Sequence, residues 1–352
     1  MIQYILRGVF PRRIYAISGV NNDLTDFRMN RGGRKCKMKY VGFDIGGTKC
    51  AVCVGEETDN GVEITAKEVI PQDLSVSAYK IIDTMCELAE NMTDDFSRVG
   101  ISCGGPLNSK KGIIQSPPNL TGWDNIEIVK HIKNRWNSNV HLQNDANACA
   151  VAEWRYGAGR GCDNMIFLTF GTGLGAGLIL DGRLYTGTND MAGEIGHIRL
   201  SEYGPVGYGK AGSFEGFCSG NGIAQLGKMK AREALQMGKS VSYCRNMECL
   251  DTITAKSIAE YADNGFEDAK EIYKLCGQKL GYGLAVLIDV LNPQNIVIGS
   301  VFQRSETLLR ESMECVLEKE CLPYSKSVCK VVPAELGENI GDIAAIAVAA
   351  MD

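Results

Sequence analysis

The sequence lacks both the long apolar segments of a membrane protein and the excess positive charge of a nucleic-acid-binding protein. No apolar run approaches the ~20 residues that a transmembrane helix requires. The 352 residues carry 37 Lys and Arg against 42 Asp and Glu, a net charge of −5. We therefore expect neither a nucleic-acid partner nor a membrane surface. The hydrophobic content of 45% is typical of a soluble protein with roughly two domains of ~100–200 residues each.

Two matching pairs of closely spaced cysteines are missing as well, although the chain contains 14 cysteines. They are scattered singly: Cys50 and Cys53 lie in a strand-like run, and Cys244 and Cys249 have no matching second pair. Disulfide scaffolds are typical of short secreted chains, whereas buried thiols pack as small apolar groups. We predict reduced, mostly buried thiols and a cytoplasmic location.

The first 37 residues differ from the rest in charge. They carry eight Lys or Arg and two Asp, about +6, against about −11 for the remainder. Three arginines and a proline interrupt their apolar stretches, whereas a signal peptide needs an unbroken apolar segment of about 7–15 residues and a cleavage site. The two aspartates also count against a mitochondrial-type presequence, which is Arg-rich. We predict that residues 1–37 form a basic, poorly ordered extension and that the folded part begins at Met38.

Beyond Met38, predicted strands and helices alternate. Apolar runs ending in glycine indicate strands, and apolar residues at helical spacing indicate helices, such as 125–136 with Asp124 as its N-cap. The strand, glycine turn and strand of YVGFDIGGTKCAVCVG recur in NMIFLTFGTGLGAGLIL. This repeat predicts two α/β domains that face a shared cleft. The predicted bounds are 38–155 with 338–352 for a smaller N-terminal domain, and 156–337 for a larger C-terminal domain.

Three glycine-rich turns follow apolar strands, at 44–49, at 171–177 and at Gly299-Ser300. Glycine lets the backbone approach a bulky anion, and successive N–H groups with threonine hydroxyls can then bind phosphate oxygens. Any one of these turns is explained equally well as a tight hairpin, but three at strand ends favour phosphate binding. Asp44, beside the first turn, is suited to orient Mg²⁺ directly or through water, because Mg²⁺ usually keeps several waters.

Two look-alike motifs do not fit the folds in which they usually occur. The glycines of 171–177 lead into another predicted strand, whereas a dinucleotide-binding fingerprint must begin a helix. Gly238-Lys239-Ser240 resembles the end of a P-loop, but Glu233 occupies the position of that motif's first glycine, and a helix rather than a strand precedes it. Neither a Rossmann nor a P-loop nucleotide site is predicted.

The segment Gln143-Asn144-Asp145-Ala146-Asn147-Ala148 lies where a predicted strand passes into a helix. Asn144 or Asp145 could simply cap that helix. One cap needs a single polar residue, however, and four polar residues around small alanines allow a ligand to approach closely. A carboxylate between phosphate-binding turns can accept the proton of an attacking hydroxyl, which predicts phosphoryl transfer to an alcohol.

Several motifs occur together and in order: DIGGTK, GGP followed by PPNLTGW, NDANA, FGTGLGAG, GEIGH and IVIGS. This series resembles that of ROK-family sugar kinases, from about Met38 to the C-terminus. The resemblance implies an α/β, two-domain actin/hexokinase-type (ribonuclease H-like) fold whose central cleft closes over ATP-Mg²⁺ and a hexose. It also implies glucokinase-like phosphorylation of a primary hydroxyl, and homodimers are common in the family.

The resemblance also assigns roles to individual residues. Asp145 matches the catalytic base. The expected sugar-pocket residues are Asn144, Glu194, His197 and Glu215, with Gly105 and Asn119 beside them. The expected phosphate-binding residues are Asp44, Gly46, Gly47, Thr48, Lys49, Gly171, Thr172, Gly173, Gly175 and Gly299.

The sequence departs from the family's pattern around His197. In most of the family the equivalent histidine binds zinc with three cysteines, and other residues occupy those positions here: Val206, Tyr208 and Ser213. Cys218 alone is nearby, and one cysteine with one histidine cannot complete a tetrahedral zinc site. We predict that zinc is absent and that His197 faces the sugar, the alternative being an ordinary core histidine. The residues expected to hold the loop by packing instead are Tyr203, Tyr208 and Phe214.

Two other functions fit parts of the pattern. A sugar-sensing transcriptional regulator of the same family would carry a helix-turn-helix module before the kinase-like body, and 37 residues interrupted by proline and glycine are too few for one. A fold-related ATPase without sugar specificity leaves the sugar-pocket residues unexplained. An ATP-dependent hexose kinase is therefore the predicted function. The sequence favours a glucose-like sugar but leaves glucose, mannose, fructose, allose and N-acetylated hexosamines open.

Overall fold

The computed structural model describes residues 38–58, 61–73 and 75–351. The basic extension predicted for 1–37 lies outside the described residues. Within the described ranges, no helix is both long and apolar enough to span a bilayer. Eight of the thirteen cysteines in these ranges are buried, so the predicted burial of most thiols is confirmed.

Strands and helices alternate along the chain, as predicted. The strands are β1 Lys39–Ile45, β2 Lys49–Thr58, β3 Gly61–Pro71, β4 Arg98–Cys103, β5 Leu107–Asn108, β6 Ile113–Ile114, β7 Asn139–Asn144, β8 Met165–Leu168, β9 Ala176–Leu180, β10 Arg183–Tyr185, β11 Val206–Gly207, β12 Lys210–Ala211, β13 Asn295–Ile298 and β14 Lys330–Pro333. The helices are α1 Ala78–Met92, α2 Ile128–Trp136, α3 Asp145–Tyr156, α4 Phe214–Phe217, α5 Gly220–Gln236, α6 Ala255–Asp263, α7 Glu267–Leu291, α8 Val301–Glu320, α9 Pro323–Val328 and α10 Ile340–Ala349. Short 3₁₀ turns occupy Ile195–His197, Met247–Thr252 and Gly337–Asn339.

Ten of these strands build two five-stranded sheets of the same topology. The order is β3-β2-β1-β4-β7 in the first sheet and β10-β9-β8-β13-β14 in the second. In each sheet the central strand, β1 or β8, runs antiparallel to the strand after its glycine turn and parallel to its other neighbour. The two glycine turns therefore occupy equivalent corners, which confirms the repeat predicted from the sequence.

The burial of each strand determines how clearly its residues predict a strand. β1 and β8 are buried along most of their length, and their continuous apolar runs are typical of strands with both faces covered. β3 lies at the edge of its sheet and alternates between half-buried and exposed residues. It also carries three charged side chains, so it presents no apolar run from which a strand could be predicted.

Two helices, α3 and α10, pack against each other and connect the sheets. α3 also contacts β8 and β9, whereas α10 packs on β1 and β4. The approach of α10 to the first sheet is close, because a Cβ added to Gly42 would lie 2.9 Å from the Ala345 side chain. A Cβ added to Gly100 would collide with the backbone of α10. Small residues on both elements thus allow α10 to cover this face of the first sheet.

The chain passes between the sheets at two places, after α3 and before α10. The fully buried carboxylate of Glu153, near the end of α3, accepts hydrogen bonds from both connections. In the first connection the donor is the Ala158 N–H (2.8 Å). In the second, the donors are the N–H groups of Glu335 (3.0 Å) and Leu336 (2.9 Å). One side chain therefore ties the two connections together.

The start of α2 differs from the prediction. The helix begins at Ile128, and Asp124 instead accepts a hydrogen bond from the Ser116 hydroxyl. The prediction that Asp124 is the N-cap is wrong, because Ile126 pairs with Ile114 in an antiparallel bridge. That pairing keeps the backbone extended just before the helix.

Candidate active site

Two adjoining cavities lie beside the glycine turn of the second sheet. The larger has a volume of about 1000 Å³, and its wall includes Gly171 and Thr172. The smaller, of about 540 Å³, is lined from both halves of the chain, with Asn144 on one side and residues after β8 on the other. Tyr208 and Glu215 belong to the walls of both cavities. Ligands bound in the two cavities would therefore be neighbours.

The smaller cavity brings together most of the predicted sugar-pocket residues. Those in its wall are Gly105, Asn144, Glu194, His197 and Glu215. Asn119 lies against the first glycine turn instead, since its carbonyl oxygen would be 2.8 Å from a Cβ on Gly47. The neighbouring Pro118 lines the cavity in its place.

Glu194 is electrostatically coupled to other polar groups of the smaller cavity. Burial raises the pKa of its carboxyl, and the negative charges of Asp145 and Glu215 add to the increase, while His197 opposes it. These groups must be close together to perturb one another in this way. The wall therefore offers hydrogen-bond acceptors and an imidazole to a polyhydroxylated ligand.

Asp145 is the first residue of α3 and follows the helix cap directly. The Asn144 side chain accepts a hydrogen bond from the Ala146 N–H (2.9 Å), so Asn144 supplies the cap, and Asp145 Oδ1 accepts from the same N–H (2.8 Å). Asp145 is open to solvent, yet surrounding protein atoms desolvate it enough to raise its pKa. It is not part of either cavity wall, so contact with a hydroxyl requires the ligand or closure of the cleft to bring them together.

Asp44 stands at the end of β1, within reach of two further carboxylates. Burial, with the negative charges of Asp342 and Asp145, raises its pKa to about 6, although Lys49 and Lys67 lower it. Lys67 Nζ forms a salt bridge with Asp342 Oδ2, with a distance of 2.5 Å between the two atoms. The local excess of negative charge is one that a bound cation would relieve.

The donors near Asp44 fit a nucleotide-bound magnesium ion better than a protein-enclosed metal. Among the described residues, no group of three or more His, Cys, Asp or Glu side chains is arranged to hold a metal ion. Mg²⁺ is usually held by one or two carboxylates, phosphate oxygens and several waters. Asp44 can supply one such carboxylate next to the first glycine turn.

The first glycine turn is compact and presents polar side chains to solvent. Its Gly46 N–H donates to the Lys49 carbonyl oxygen (3.0 Å). Thr48 and Lys49 are exposed. Gly47 packs so closely on Asn119 that a side chain at position 47 would displace Asn119. The turn therefore leaves a hydroxyl and an ammonium group free to meet an anion.

The second glycine turn holds Glu215, whose side chain lines both cavities. Glu215 Oε2 accepts a hydrogen bond from the Leu174 N–H (3.0 Å). The Gly175 N–H donates to the Thr169 hydroxyl (3.0 Å), which fixes the far side of the turn. Gly299 packs against the Phe167 ring, and its neighbour Ser300 reaches the wall of the larger cavity. Gly175 and Gly299, both predicted to bind phosphate, therefore support the cavity wall without lining it themselves.

Substituting Ala for Gly173 is expected to weaken binding in the smaller cavity. The added Cβ would lie 2.7 Å from Glu215 Oε2 and would push the carboxylate away from the Leu174 N–H. A hydrogen bond to a charged group contributes ~1.5–3 kcal/mol, so a ligand that Glu215 holds in this cavity should bind roughly tenfold to a hundredfold more weakly. Titration calorimetry measures the change in affinity. Gly104→Ala is the control, because its added Cβ meets no atom within 4 Å; an unchanged affinity in Gly173→Ala would contradict the role of this contact.

Several residues of the larger cavity have no counterpart in the sequence predictions. Polar and basic side chains from the helices α5, α6 and α8 and the segments before them contribute to its wall: Ser219, Asn221, Lys228, Thr254, Lys256 and Arg304. They are divided among three helices and the caps before them, and no local motif joins them. Ser219 and Thr254 do carry a local signal, since each caps a helix. Ser219 accepts from the Gly222 N–H (2.9 Å) at the start of α5, and Thr254 accepts from the Ser257 N–H (3.0 Å) at the start of α6.

Hydrogen bonds fix the loop that contains His197. Lys210 Nζ donates to the His197 carbonyl oxygen (2.5 Å). The side-chain amide of Gln225 pairs with the backbone of Val206, accepting from its N–H (3.0 Å) and donating to its carbonyl (2.9 Å). These bonds anchor the β11–β12 hairpin at the start of β11 and just after its turn.

The aromatic packing predicted for this loop is only partly correct. Phe214 is fully buried, but Tyr203 and Tyr208 are 78% and 73% exposed, so the prediction that the tyrosines pack into the structure is wrong for Tyr203. The Tyr208 ring contacts the His197 ring, with ring centroids 5.3 Å apart at 87°. The Cys218 thiol donates to the Cys276 carbonyl in the core, so it takes part in core packing.

Residues 40–351 match the sequence model of the ROK family. The chain belongs to this family. A glucokinase from Thermotoga maritima is 27% identical over 314 residues, which cover 89% of this chain and 97% of that protein. A crystal structure of a ROK-family glucokinase from Streptomyces griseus, in complex with glucose and AMPPNP, is 27% identical, with a TM-score of 0.68 over 88% of this chain and 98% of that one.

The same family includes regulators of transcription. A xylose repressor from Caldicellulosiruptor bescii is 27% identical over 223 residues, which cover 63% of this chain and 54% of the repressor. The likeness to ROK hexokinase and glucokinase structures establishes the predicted two-domain actin/hexokinase-type α/β fold with its central cleft. Membership of the family leaves both a kinase and a regulator as functions.

Proposed function

We propose that the protein is an ATP-dependent sugar kinase that phosphorylates the primary hydroxyl of a glucose-like hexose in the cytoplasm. The observation that carries this proposal is the pair of adjoining cavities. One has a wall of carboxylate, amide and imidazole groups, and the other is bounded by a glycine turn and by basic side chains. The similarity to glucokinases supports the same reaction.

The larger cavity suits ATP. Its volume is within the range of ligand pockets, about 300–1000 Å³. The backbone of Gly171 and Thr172 and the side chains of Lys228, Lys256 and Arg304 would face the nucleotide. Asp44 would hold Mg²⁺, directly or through water, and the ion would neutralise charge on the transferring phosphoryl group.

The smaller cavity suits a hexose. Asn144, Glu194, His197 and Glu215 would exchange hydrogen bonds with its hydroxyls, and Gly105 leaves room for the ring. Asp145 would take the proton from the attacking hydroxyl as that oxygen bonds to the γ-phosphorus, while the bond to the β-phosphate oxygen breaks and ADP leaves.

Closure of the cleft would complete the site. We propose domains of 38–155 with 338–352 and of 156–337 that close over both ligands. Closure would bring Asp145 to the hydroxyl and exclude water, which would otherwise accept the phosphoryl group in place of the sugar.

A coupled ADP-release screen tests the proposal. The purified full chain is incubated with ATP, Mg²⁺ and, in turn, glucose, mannose, fructose, allose, N-acetylglucosamine and N-acetylmannosamine. We expect sugar-dependent ADP formation with at least one of them, and with a 6-deoxy analogue, which lacks the primary hydroxyl, none. The absence of sugar-dependent ADP formation across the panel would overturn the proposed activity.

The similarity to a xylose repressor makes a sugar-sensing regulator the alternative function. A regulator needs to bind sugar but has no need of a base beside it, so Asp145 favours catalysis. A gel-shift experiment with DNA from upstream of the coding sequence separates the two. We expect no retention of DNA with or without sugar; sugar-dependent retention together with an inactive screen would favour the regulator.

A further inference from the structure

Tyr208 stands in the wall shared by the two cavities. It occupies the tip of the β11–β12 hairpin, whose two-residue loop is Tyr208-Gly209. Its ring contacts the His197 ring edge to face, and His197 in turn lines the smaller cavity. Tyr208 is therefore the residue through which the hairpin reaches the imidazole.

The backbone of the hairpin is unfavourable for tyrosine. Both loop residues have positive φ, 44° at Tyr208 and 75° at Gly209, the pattern of a type I′ turn. Asn-Gly is the preferred sequence for such a turn, because a bulky residue is strained at positive φ. The tyrosine is also 73% exposed, so core packing does not account for it.

The same hairpin holds His197 at a second point. Lys210, the residue after the turn, donates from Nζ to the His197 carbonyl oxygen at 2.5 Å. The hairpin thus contacts both the backbone and the ring of His197. Together the two contacts restrict the orientation of the imidazole within the cavity wall.

We propose that Tyr208 is a positioning residue, whose ring sets the His197 imidazole against a bound hexose and so determines hexose affinity. This inference rests on the proposed function, because it names a further residue of the same sugar site. Strain at a residue that is neither buried nor favoured by its turn is typical of functional positions. The contact with the His197 ring is the role that this geometry indicates for Tyr208.

The test compares three variants of the full chain. Tyr208→Asn removes the ring and gives the turn its preferred residue, Tyr208→Phe keeps the ring, and Tyr203→Asn changes an exposed tyrosine outside both cavity walls. With the hexose that the wild type phosphorylates fastest in the screen, we expect Tyr208→Asn to raise the hexose KM about tenfold. We expect kcat to change less than threefold, Tm to stay level or rise, and the other two variants to match the wild type.

A second readout does not depend on turnover. The described residues contain three histidines, His131, His141 and His197, so their imidazole protons can be assigned by NMR. The ring current of Tyr208 should displace the His197 signals in the wild type and in Tyr208→Phe but not in Tyr208→Asn. Signals that are the same in all three proteins would overturn the inference, even if no hexose is a substrate.

The kinetic outcomes separate the inference from the proposed function. A wild type inactive with every sugar would overturn the proposed function and the affinity role that rests on it, while the NMR comparison would still decide the ring contact. An active wild type with an unchanged hexose KM in Tyr208→Asn would overturn only the role of Tyr208. Equal losses in Tyr208→Asn and Tyr208→Phe would also overturn it, since the hydroxyl rather than the ring would then be responsible.

Discussion

Changing Asp145 to Asn is expected to slow hexose phosphorylation by about 10²–10⁴-fold while the hexose remains bound. The amide cannot accept the hydroxyl proton, but its oxygen can keep the hydrogen bond from the Ala146 N–H that Asp145 Oδ1 accepts at 2.8 Å. Asn144 continues to cap the helix. The ADP-release assay measures the rate, and titration calorimetry measures hexose affinity. Near-normal turnover in the variant would show that Asp145 is not the base.

The same variant is expected to be more stable than the wild type at neutral pH. Although Asp145 is open to solvent, the protein atoms around its carboxyl desolvate it and raise its folded-state pKa, so ionisation of this carboxyl opposes folding at pH 7. The cost decreases as the pH falls through the folded-state pKa, and it is absent below the unfolded-state pKa of about 3.9. Thermal unfolding should therefore show a Tm difference that shrinks with increasing acidity. Asp94→Asn, at an exposed position, is the control and should give no such difference.

Changing Glu153 to Ala is expected to destabilise the protein by ~3 kcal/mol or more. Three backbone N–H groups, those of Ala158, Glu335 and Leu336, would lose their acceptor, and each unsatisfied buried group costs about 1–3 kcal/mol. Native stability is typically about 5–15 kcal/mol, so the loss is a large part of it. Glu153→Gln should cost less, because its oxygen can still accept from the Glu335 and Leu336 N–H groups while its NH₂ group faces the Ala158 N–H. Thermal unfolding and the yield of folded protein measure the effect.

The matched control for Glu153 is Glu335→Gln in the second connection. The Glu335 side chain lies at the surface and pairs with Arg160 at 3.3 Å, with about half of each side chain exposed. Exposed ion pairs contribute ~0–1 kcal/mol, so this variant should unfold almost like the wild type. A Glu153→Ala protein that unfolds at the wild-type temperature would mean that the two connections are held by other contacts.

The sequence predicted the central parts of the fold better than its edges. β1 and β8 are recognisable because strands buried on both faces need continuous apolar residues, and each ends in a glycine turn. β3 was missed because an edge strand can alternate charged and half-buried residues. The N-cap predicted at Asp124 was wrong because the Ile114–Ile126 pairing, between positions twelve residues apart, leaves no trace in local sequence.

The candidate site divides in the same way. Asn144, Glu194, His197 and Glu215 lie in compact motifs that resemble those of a known family, and the structure brings them to one cavity wall. Lys228 and Arg304 come from separate helices, and only tertiary packing places them at the larger cavity. Local sequence cannot indicate such side chains, because helical surface positions are commonly basic for solubility alone.

The close fit of α10 on the first sheet has a consequence for synthesis on the ribosome. All five strands of that sheet have been synthesised once the ribosome has added Asn144. The helix that covers Gly42 and Gly100, however, is complete only at Ala349. The strands of the second sheet are complete by Pro333. At ~5–20 residues per second, the nascent first sheet waits roughly 10–40 s with this face uncovered. Folding is therefore expected to finish in the half that is translated first, and chaperones that bind exposed apolar strands should recognise that half during the delay.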